Sequence, residues 1–397
     1  MERSNYKIYS EGRIGNLTLK NRLVRSATCD YQAGENGTIT AKELTLYHDL
    51  AKGGIGMIIT GLMAISPRGI GTKGQMCIYD DTLTAEIARL ADTVHKAEPD
   101  CRIIAQLCHP GRQIDHENTA AECIGPSAVA SPILEKKARE MLPEEIHNMI
   151  NDFSAAILRT KQAGFDGVQL HAAHGYLLSS FLSPYTNKRM DSYGGELKNR
   201  VSIIREIVSA ARETVGDFPI LIKINCDDHV ADGITKDNFS ELAIEIASTG
   251  VDAIEVSGGI WDCLSRTKEE LGFLPVPIPE SRTHIDTPDK QSYYYDYVKN
   301  LRLPVPLILV GGHRNIEHME NILIQGAADF LSMSRPLICE PDLPNRWLKG
   351  KGNNSGCISC NACILFKDDF GCALRRHKLI RAEFETSFEN GWRAVFH

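Results

Sequence analysis

The segment Gln162–His171 (QAGFDGVQLH) carries the pattern that decides the fold. A helical stretch ends on small residues, the chain turns at Gly164, and a short apolar run begins. Small residues at such a joint are typical of the place where a helix stops and a strand follows. The same pattern recurs at Ala51–Gly61, Ser248–Gly258 and Gln325–Ser334. The repeat indicates a chain in which helices and strands alternate.

Further apolar runs complete a set of eight predicted strands; they are Arg22–Thr28, Arg102–Leu107, Pro219–Ile224 and Pro304–Val310. Segments with helical periodicity separate most of the strands, among them Pro143–Ala163, Asn199–Val215 and Lys236–Ser248. Apolar strands that alternate with helices predict a parallel sheet buried on both faces. Eight units over about 340 residues predict an α/β fold of the (β/α)8 TIM-barrel type, with an open doubly wound sheet as the alternative.

Three polar side chains follow the predicted strand Val168–Leu170, namely His171, His174 and Tyr176. Histidines three residues apart can aim N–H donors at one point, and a nearby tyrosine can deliver a proton there. This group suits recognition of a polarised oxygen. The alternative interpretation is that the three residues cap a helix and pack beneath a loop.

Gly311–Gly312 and Ser334–Arg335 follow the last two predicted strands. Barrels commonly bind a phosphate through backbone N–H groups at this place, and Arg335 adds a cation suited to an anion. The pattern predicts a phosphate site, although a glycine pair alone can mark only a tight turn.

Lys223 ends the apolar strand ILIKIN, where a buried cation is costly without a partner. Three interpretations are open at this point. The lysine pairs with a nearby carboxylate such as Asp227 or Asp228, forms a Schiff base, or serves as a fixed cation beside a cofactor that becomes anionic on reduction.

Two predicted loops exceed the ordinary length, His109–Leu142 after the third strand and Gly258–Tyr295 after the sixth. Long loops at the carboxyl ends of barrel strands are typical of active sites. The span Gly272–Pro279 is too rich in proline for a helix, and we expect it to form a rim or lid.

The composition argues against several classes of protein. The 397 residues are 43% hydrophobic and 24% charged, the net charge is −7, and no basic cluster marks a nucleic-acid surface. The amino terminus lacks the apolar core of a signal peptide, and no run approaches the ~18 apolar residues of a membrane span. Eight of the twelve cysteines are scattered singly, which is typical of reduced thiols and predicts a cytoplasmic protein.

The remaining cysteines lie close together at Cys357, Cys360, Cys363 and Cys372. Four thiols in so short a segment favour a metal site, and four thiolates suit a [4Fe–4S] cluster or zinc. Free or redox-paired thiols are the other alternative. We therefore predict a barrel domain over residues 1–350 and a cysteine-rich tail over residues 351–397.

Several motifs resemble the old yellow enzyme family of FMN-dependent NADH:flavin oxidoreductases, especially the barrel of bacterial 2,4-dienoyl-CoA reductases. The resemblance runs from about Ile8 to Pro344. Its most specific motif is HAAHGYLLSSFLSPYTNKRMDSYGG at His171–Gly195. The other motifs are NRLVRSATCDY (Asn21–Tyr31), IAQLCHPGRQ (Ile104–Gln113), GPSAVA (Gly125–Ala130) and MSRPLICEPDLP (Met333–Pro344).

The resemblance implies an FMN site with a role for each residue. The edge of the flavin would be lined by Ser26, Ala27, Thr28 and Leu62. Gln106 would lie at the pyrimidine side of the flavin, and Lys223 would stabilise the anion of the reduced flavin. Holding the phosphate would be Gly312, with Gly311 beside it, Ser334 and Arg335, while Cys29 and Tyr31 would lie near the substrate. His171 and His174 would donate to a substrate carbonyl, and Tyr176 would protonate the carbon α to it.

The chain departs from the long dienoyl-CoA reductases in three respects. Ser257–Arg266 (SGGIWDCLSR) lacks their histidine-bearing G-W-H motif, so a second proton donor is absent or replaced. Their [4Fe–4S] motif has one more residue before its third cysteine. The chain ends at His397 and contains no G-x-G-x-x-G, so we expect no FAD domain of their kind.

The leading hypothesis is an ene-reductase, in which hydride from reduced FMN and a proton from Tyr176 reduce the activated C=C bond of an enone or enoyl-thioester. NAD(P)H or an electron-carrier protein would recharge the flavin, the tail would pass single electrons to it, and a homo-oligomer is compatible with the sequence. The alternatives are an FMN/Fe–S oxidative amine demethylase, a Schiff-base lyase that uses Lys223, and a binding protein without turnover.

Overall fold

The computed structural model describes residues 2–114, 122–134, 137–274, 278–365, 370–373 and 375. Its centre is a sheet of eight parallel strands: β1 (Leu23–Arg25), β2 (Met57–Ala64), β3 (Arg102–Cys108), β4 (Gly167–Ala172), β5 (Ile220–Asn225), β6 (Ala253–Ser257), β7 (Leu307–Leu309) and β8 (Phe330–Met333). Each strand pairs with the next one, and β8 pairs with β1, so the sheet closes on itself. The predicted (β/α)8 barrel is confirmed, and the open-sheet alternative is wrong.

The barrel helices follow the strands in order: α1 (Ala41–Lys52), α2 (Thr84–Ala97), α3 (Pro143–Gln162), α4 (Ser202–Val215), α5 (Lys236–Ala247), α6 (Tyr295–Val298), α7 (Ile316–Ile324) and α8 (Leu343–Leu348). Shorter helices cover Leu177–Leu182, Leu197–Arg200, Lys268–Leu271, Arg335–Cys339 and Ala362–Leu365. α1 begins at a capping box, because Thr40 and Glu43 satisfy each other's backbone N–H groups. The predicted helix Asn199–Val215 is observed as parts of two helices, Leu197–Arg200 and Ser202–Val215, with Val201 between them.

The amino-terminal end of the barrel is closed by a hairpin. Gly12–Ile14 pairs antiparallel with Leu17–Leu19, and the buried side chains of Ile14 and Leu19 join the apolar cluster inside the barrel. Besides the eight barrel strands, Met76–Cys77 pairs in parallel with Met63–Ala64 at the end of β2, and Ile124–Gly125 pairs with Arg139–Glu140. The hairpin leaves the opposite end of the barrel for the functional site.

The register of β5 and β6 shows how the barrel interior changes along its axis. Leu221 faces Ala253 in register, and both belong to the apolar cluster inside the barrel. Two residues further on, Lys223 pairs with Glu255, and then Asn225 with Ser257. Because alternate strand residues point to one face, these pairs form successive interior layers. The interior therefore becomes polar toward the carboxyl ends of the strands.

No helix in the described part of the chain is long and apolar enough to cross a membrane. The predicted rim at Gly272–Pro279 falls partly outside the described residues, since residues 275–277 are not described. The same holds for parts of His109–Leu142 and for residues 376–397 of the predicted tail. The division into a barrel and a tail stays a prediction.

Candidate active site

A cavity opens at the carboxyl ends of the strands, where barrel enzymes carry their sites. Its walls bring together the residues predicted from separate parts of the sequence: Ser26, Ala27, Thr28, Cys29, Tyr31, Leu62, Gln106, His171, His174, Tyr176, Lys223, Gly312, Ser334 and Arg335. Gly311 does not line the cavity itself but precedes Gly312 with a φ of 128°. Strand ends that are distant in sequence thus meet around one space.

The two histidines leave the end of β4 in a fixed arrangement. His174 has a φ of 63°, and its backbone N–H donates to Asn225 Oδ1 at 3.1 Å. Its Nε2 lies 2.8 Å from Ser257 Oγ, so Ser257 fixes one edge of the ring. The ring centroid of His171 lies 5.1 Å from that of His174 and 4.8 Å from that of Tyr176. His171 Nδ1 is buried without a hydrogen-bond partner among the described residues, which is costly unless a ligand supplies one.

Burial sets the protonation states of this group. It lowers the pKa of both His171 and His174 well below the usual value, and the nearby Lys223 lowers both further. It raises the pKa of Tyr176 well above the usual value. At neutral pH the imidazoles are therefore uncharged and the phenol keeps its proton. Tyr176 immediately precedes the helix Leu177–Leu182, yet within the described residues its side chain makes no capping hydrogen bond, which speaks against the capping interpretation.

Lys223 is paired with Glu255, and the predicted pairing with Asp227 or Asp228 is wrong. The Lys223 Nζ atom lies 3.2 Å from Glu255 Oε2 and donates to Ser26 Oγ at 2.9 Å. Asp227 and Asp228 lie beyond the end of β5, where Asp227 pairs with His229 and Asp228 accepts from Ser183. The partner comes from the neighbouring strand because the register places Glu255 directly opposite.

Glu255 is the centre of a buried polar network. Ser26 and Ser332 both donate to its Oε1 at 2.7 Å, and Gln169 donates to its Oε2 at 2.8 Å. Gln106 extends the network by donating to Gln169 Oε1 at 2.7 Å. Burial acts to raise the pKa of Glu255, but Lys223 and these hydrogen bonds outweigh it and lower the pKa. The network holds Lys223 and Gln106 in place on one wall of the cavity.

The other end of the cavity is built for an anion. Position 312 excludes a side chain, because a Cβ atom on Gly312 would lie 2.7 Å from Tyr293 Cε1 and because the φ of Gly312 is 78°. The backbone of Gly312 therefore borders the cavity without a side chain to cover it. Ser334 Oγ lies 2.7 Å from Thr28 Oγ1, and Arg335 donates to the carbonyl of Arg282 at 2.7 Å. Arg314 also lines this end, and its buried Nε has no hydrogen-bond partner in the described part of the chain.

These observations fit FMN. The bare glycine backbone and the two guanidinium groups suit the phosphate. Lys223 supplies the cation that the reduced isoalloxazine requires, and Gln106 supplies an amide for its pyrimidine side. The assignment of each residue to the flavin or to the substrate stays a prediction.

Several residues of the site escaped the sequence reasoning, among them Glu255, Arg314 and Glu280. Glu255 gave a signal, because it is the one charged residue in the apolar run AIEVS. Arg314 is separated from the glycine pair by His313, and Glu280 lies in a proline-rich loop that has no readable pattern. Glu280 Oε1 lies 3.9 Å from His174 Nδ1, and burial raises the pKa of this carboxyl group.

The predicted metal ligands lie next to the anion end of the cavity. Cys357, Cys360, Cys363 and Cys372 line a second, small cavity that also touches Arg335. No group of three or more His, Cys, Asp or Glu residues in the described ranges is arranged to hold a metal ion. The metal site and its [4Fe–4S] cluster stay predictions.

Comparison with known proteins shows the family. The sequence profile of the NADH:flavin oxidoreductase / NADH oxidase family matches residues 8–354. An NADH oxidase of Thermoanaerobacter brockii is 34% identical over 362 residues, which cover 90% of this chain and 53% of that protein. An NADPH dehydrogenase of Bacillus cytotoxicus is 31% identical, and the match covers 86% of this chain and 91% of that protein.

A solved structure has the same architecture. A complex of 2-naphthoyl-CoA reductase with 2-naphthoyl-CoA superposes with a TM-score of 0.82 at 27% identity, covering 94% of this chain and 57% of that chain. This chain thus spans about half the length of the NADH oxidase and of the naphthoyl-CoA reductase. The profile match and the barrel agree, and the chain belongs to the NADH:flavin oxidoreductase / NADH oxidase family, that of the old yellow enzymes.

Proposed function

We propose that this chain is a cytoplasmic, FMN-dependent ene-reductase that reduces the activated C=C bond of an enone or enoyl-thioester. NAD(P)H or an electron-carrier protein is the reductant. The observation that carries the proposal is the group of two uncharged imidazoles and one protonated phenol in the cavity that also contains Lys223. The NADH oxidase and NADPH dehydrogenase among the relatives support the nicotinamide reductant.

The side chains act on the substrate as follows. FMN, when bound, supplies the hydride for the β-carbon of the substrate. Negative charge then develops on the carbonyl oxygen, where His171 and His174 hold N–H donors, and the loss of one such donor costs roughly 3–4 kcal/mol. Tyr176 gives its proton to the carbon α to the carbonyl. Lys223, held by Glu255, places a fixed positive charge on the flavin side of the site.

The second candidate is an oxidative amine demethylase. The Glu280 carboxyl group faces the cavity beside His174, and an ionised carboxylate there would attract a cationic amine. The Schiff-base lyase is disfavoured because Lys223 is engaged in a buried ion pair. A lyase would be trapped by borohydride together with its carbonyl substrate, whereas the ene-reductase would not.

The test is a flavin spectrum followed by a substrate panel. The protein is purified without oxygen and its visible spectrum is recorded. NAD(P)H oxidation is measured with enones and enoyl-CoAs, and reduction of an added electron-acceptor dye is measured with methylated amines. Flavin bands with turnover of an enone or enoyl-CoA support the proposal. Turnover of methylated amines alone would establish the demethylase, and a colourless protein that does not take up added FMN would overturn both.

We also propose that the tail binds a [4Fe–4S] cluster through Cys357, Cys360, Cys363 and Cys372, as a domain distinct from the barrel. The support is that these thiols line one cavity and that four thiolates are the usual ligand set for such a cluster. The cluster would pass single electrons to the flavin. Protein purified anaerobically with no iron above background would contradict this assignment, and zinc would then be the next metal to measure.

A further inference from the structure

A fifth thiol lies among the four cysteines of the tail. Cys339 ends the short helix Arg335–Cys339 and is buried, with 5% of its surface exposed. It lines the same small cavity as the tail cysteines, and its thiol is hydrogen-bonded to that of Cys372. A site for four thiolates therefore contains one thiol more than it needs, and that thiol contacts one of the four.

Glu340 holds the tail in this position. Its Oε1 accepts from the backbone N–H of Gly356 at 3.0 Å and lies 3.1 Å from Arg375 Nη2. Its Oε2 pairs with Arg346 Nη2 at 2.7 Å, and 8% of the Glu340 side chain is exposed. Gly356 and Arg375 flank the segment from Cys357 to Cys372. A single buried carboxylate thus fixes both ends of the cysteine segment against the residue that follows Cys339.

We propose that Cys339 and Cys372 form a reversible disulfide when the tail carries no metal, and that this bond withdraws Cys372 from metal binding. The small cavity that both side chains line, together with the contact between the two thiols, carries the proposal, because disulfide formation requires two sulfur atoms that lie close together. The competition with a metal rests on the tail site proposed above, whereas the disulfide does not.

The oxidant is a low-molecular-weight disulfide such as oxidised glutathione. The partly exposed Cys372 attacks it first, forming a mixed disulfide and releasing one glutathione thiol. The buried Cys339 then attacks the Cys372 sulfur, which releases the second glutathione thiol and closes the protein disulfide. In total the two protein thiols lose two electrons and two protons. Oxidised glutathione accepts them and becomes two molecules of reduced glutathione.

The test uses the full chain with its metal removed by a chelator. The reduced protein is treated with oxidised glutathione, its remaining thiols are alkylated, and peptides are mapped by mass spectrometry without reduction. We expect the loss of two thiols per chain and a linked peptide that joins Cys339 to Cys372. A map in which Cys357, Cys360 and Cys363 link among themselves, with Cys339 alkylated, would overturn the proposal.

Two variants separate the steps, and a third is the control. Cys339→Ser should stop at the mixed disulfide and keep one glutathione on Cys372, whereas Cys372→Ser should form neither product. Cys101→Ser removes a buried thiol outside this cavity and should behave like the unaltered chain. If Cys339→Ser formed a disulfide as readily as the unaltered chain, Cys339 would not be the resolving thiol and the proposal would be wrong.

Zinc serves as the probe for the competition. Protein loaded with Zn²⁺ before oxidation should not form the Cys339–Cys372 link, and reduction of the oxidised protein should restore zinc uptake. A chain that forms the link but binds no zinc when reduced would contradict zinc binding by the tail and support the disulfide alone. Equal formation of the link with and without bound zinc would overturn the proposed competition.

Discussion

Tyr176 combines two properties that a proton donor for a carbon atom needs. Burial raises the pKa of its hydroxyl group well above the usual value, so the proton stays on the phenol at neutral pH. The ring packs against His171, with 4.8 Å between the ring centroids, so the phenol is held beside the imidazole that is proposed to bind the carbonyl. In the proposed mechanism, the proton donor therefore lies beside the imidazole that binds the developing negative charge.

Replacing Tyr176 by phenylalanine should slow enone reduction and leave the other functions intact. We expect kcat to fall roughly 10²–10⁴-fold, because a positioned acid contributes that factor. Flavin content and the rate of flavin reduction by NAD(P)H should not change. Tyr193→Phe is the matched control, since Tyr193 donates to Glu206 outside the cavity. An unchanged kcat in Tyr176→Phe would remove Tyr176 from the proposed mechanism.

At the residue scale, the sequence predicted which side chains matter better than it predicted their partners. Lys223 is recognisable as a buried cation because it interrupts an apolar strand. Its partner Glu255 is distant in sequence, and only the strand register brings the two together. Local sequence favoured Asp227 and Asp228 because they are near in the chain, but β5 ends at Asn225 before either of them.

The register of β5 and β6 gives a prediction for stability. Glu255→Gln keeps the shape of the side chain but leaves Lys223 without its carboxylate in a buried layer. We expect a loss of about 3 kcal/mol in the free energy of unfolding, because breaking one side of a buried ion pair leaves a charge uncompensated. Denaturant titration of the flavin-free protein measures it. In the double variant with Lys223→Met the loss should be smaller than the sum of the two single losses, and strict additivity would show that the pair is not coupled.

The loop after β7 gives a prediction for flavin binding. Gly312→Ala places a Cβ atom 2.7 Å from Tyr293 Cε1 on a backbone with a φ of 78°. Tyr293 or the loop must move, and we expect FMN to bind at least about tenfold more weakly, which corresponds to roughly 1.4 kcal/mol. Titration of flavin fluorescence measures the Kd. Gly326→Ala is the control, since Gly326 has a φ of 67° but open space around its Cα. That variant should be strained without losing FMN affinity, and an equal loss in both would rule out the proposed role of Gly312.

At the scale of elements, the glycine-marked joints were informative and the loops were not. The joint at Gln162–His171 predicted a helix that ends at Ala163, followed by a strand, because glycine tolerates the conformation that ends a helix. The observed helix α3 ends one residue earlier, at Gln162, and β4 follows it. The loop after β6 places Glu280 beside His174, and no periodic pattern encodes that approach. Its position depends on tertiary contacts such as the hydrogen bond from Tyr293 to the carbonyl of Glu280.

For the whole molecule, the barrel rule explains why so much of the cavity was predictable. Parallel strands that close into a barrel bring all of their carboxyl ends to one side. Residues at the ends of β1, β3, β4 and β8, widely separated in sequence, therefore line one cavity. Arg314 lies in a loop beyond the end of β7, so the strand pattern did not point to it. The thiol contact of Cys339 with Cys372 joins the barrel to the tail, and the spacing of the cysteines did not reveal it.

Buried ionisable groups should make the stability of the molecule depend on pH in two opposite ways. Burial lowers the pKa of His109 from 6.5 to about 4, and its Nδ1 accepts from the backbone N–H of Gly111 at 3.1 Å. As the pH falls below 6.5, His109 binds a proton in the unfolded chain but stays neutral in the folded chain, so stability is lost down to about pH 4.

Burial raises the pKa of Asp30 from 3.8 to about 6. As the pH rises above 3.8, Asp30 ionises in the unfolded chain while it keeps its proton in the folded chain, so stability is lost up to about pH 6.

Two variants separate these contributions. The free energy of unfolding is measured by denaturant titration between pH 4 and pH 7 for the unaltered chain, His109→Gln and Asp30→Asn. His109→Gln should remove an acid-side loss of about 3 kcal/mol, so its stability relative to the unaltered chain rises as the pH falls from 6.5 to 4. Asp30→Asn should gain a similar amount relative to the unaltered chain as the pH rises from 4 to 6, which is the opposite slope. Difference curves without slope would mean that neither group titrates differently in the folded and unfolded states. Two slopes of the same sign would mean that one of the two groups takes its charged form in the folded barrel.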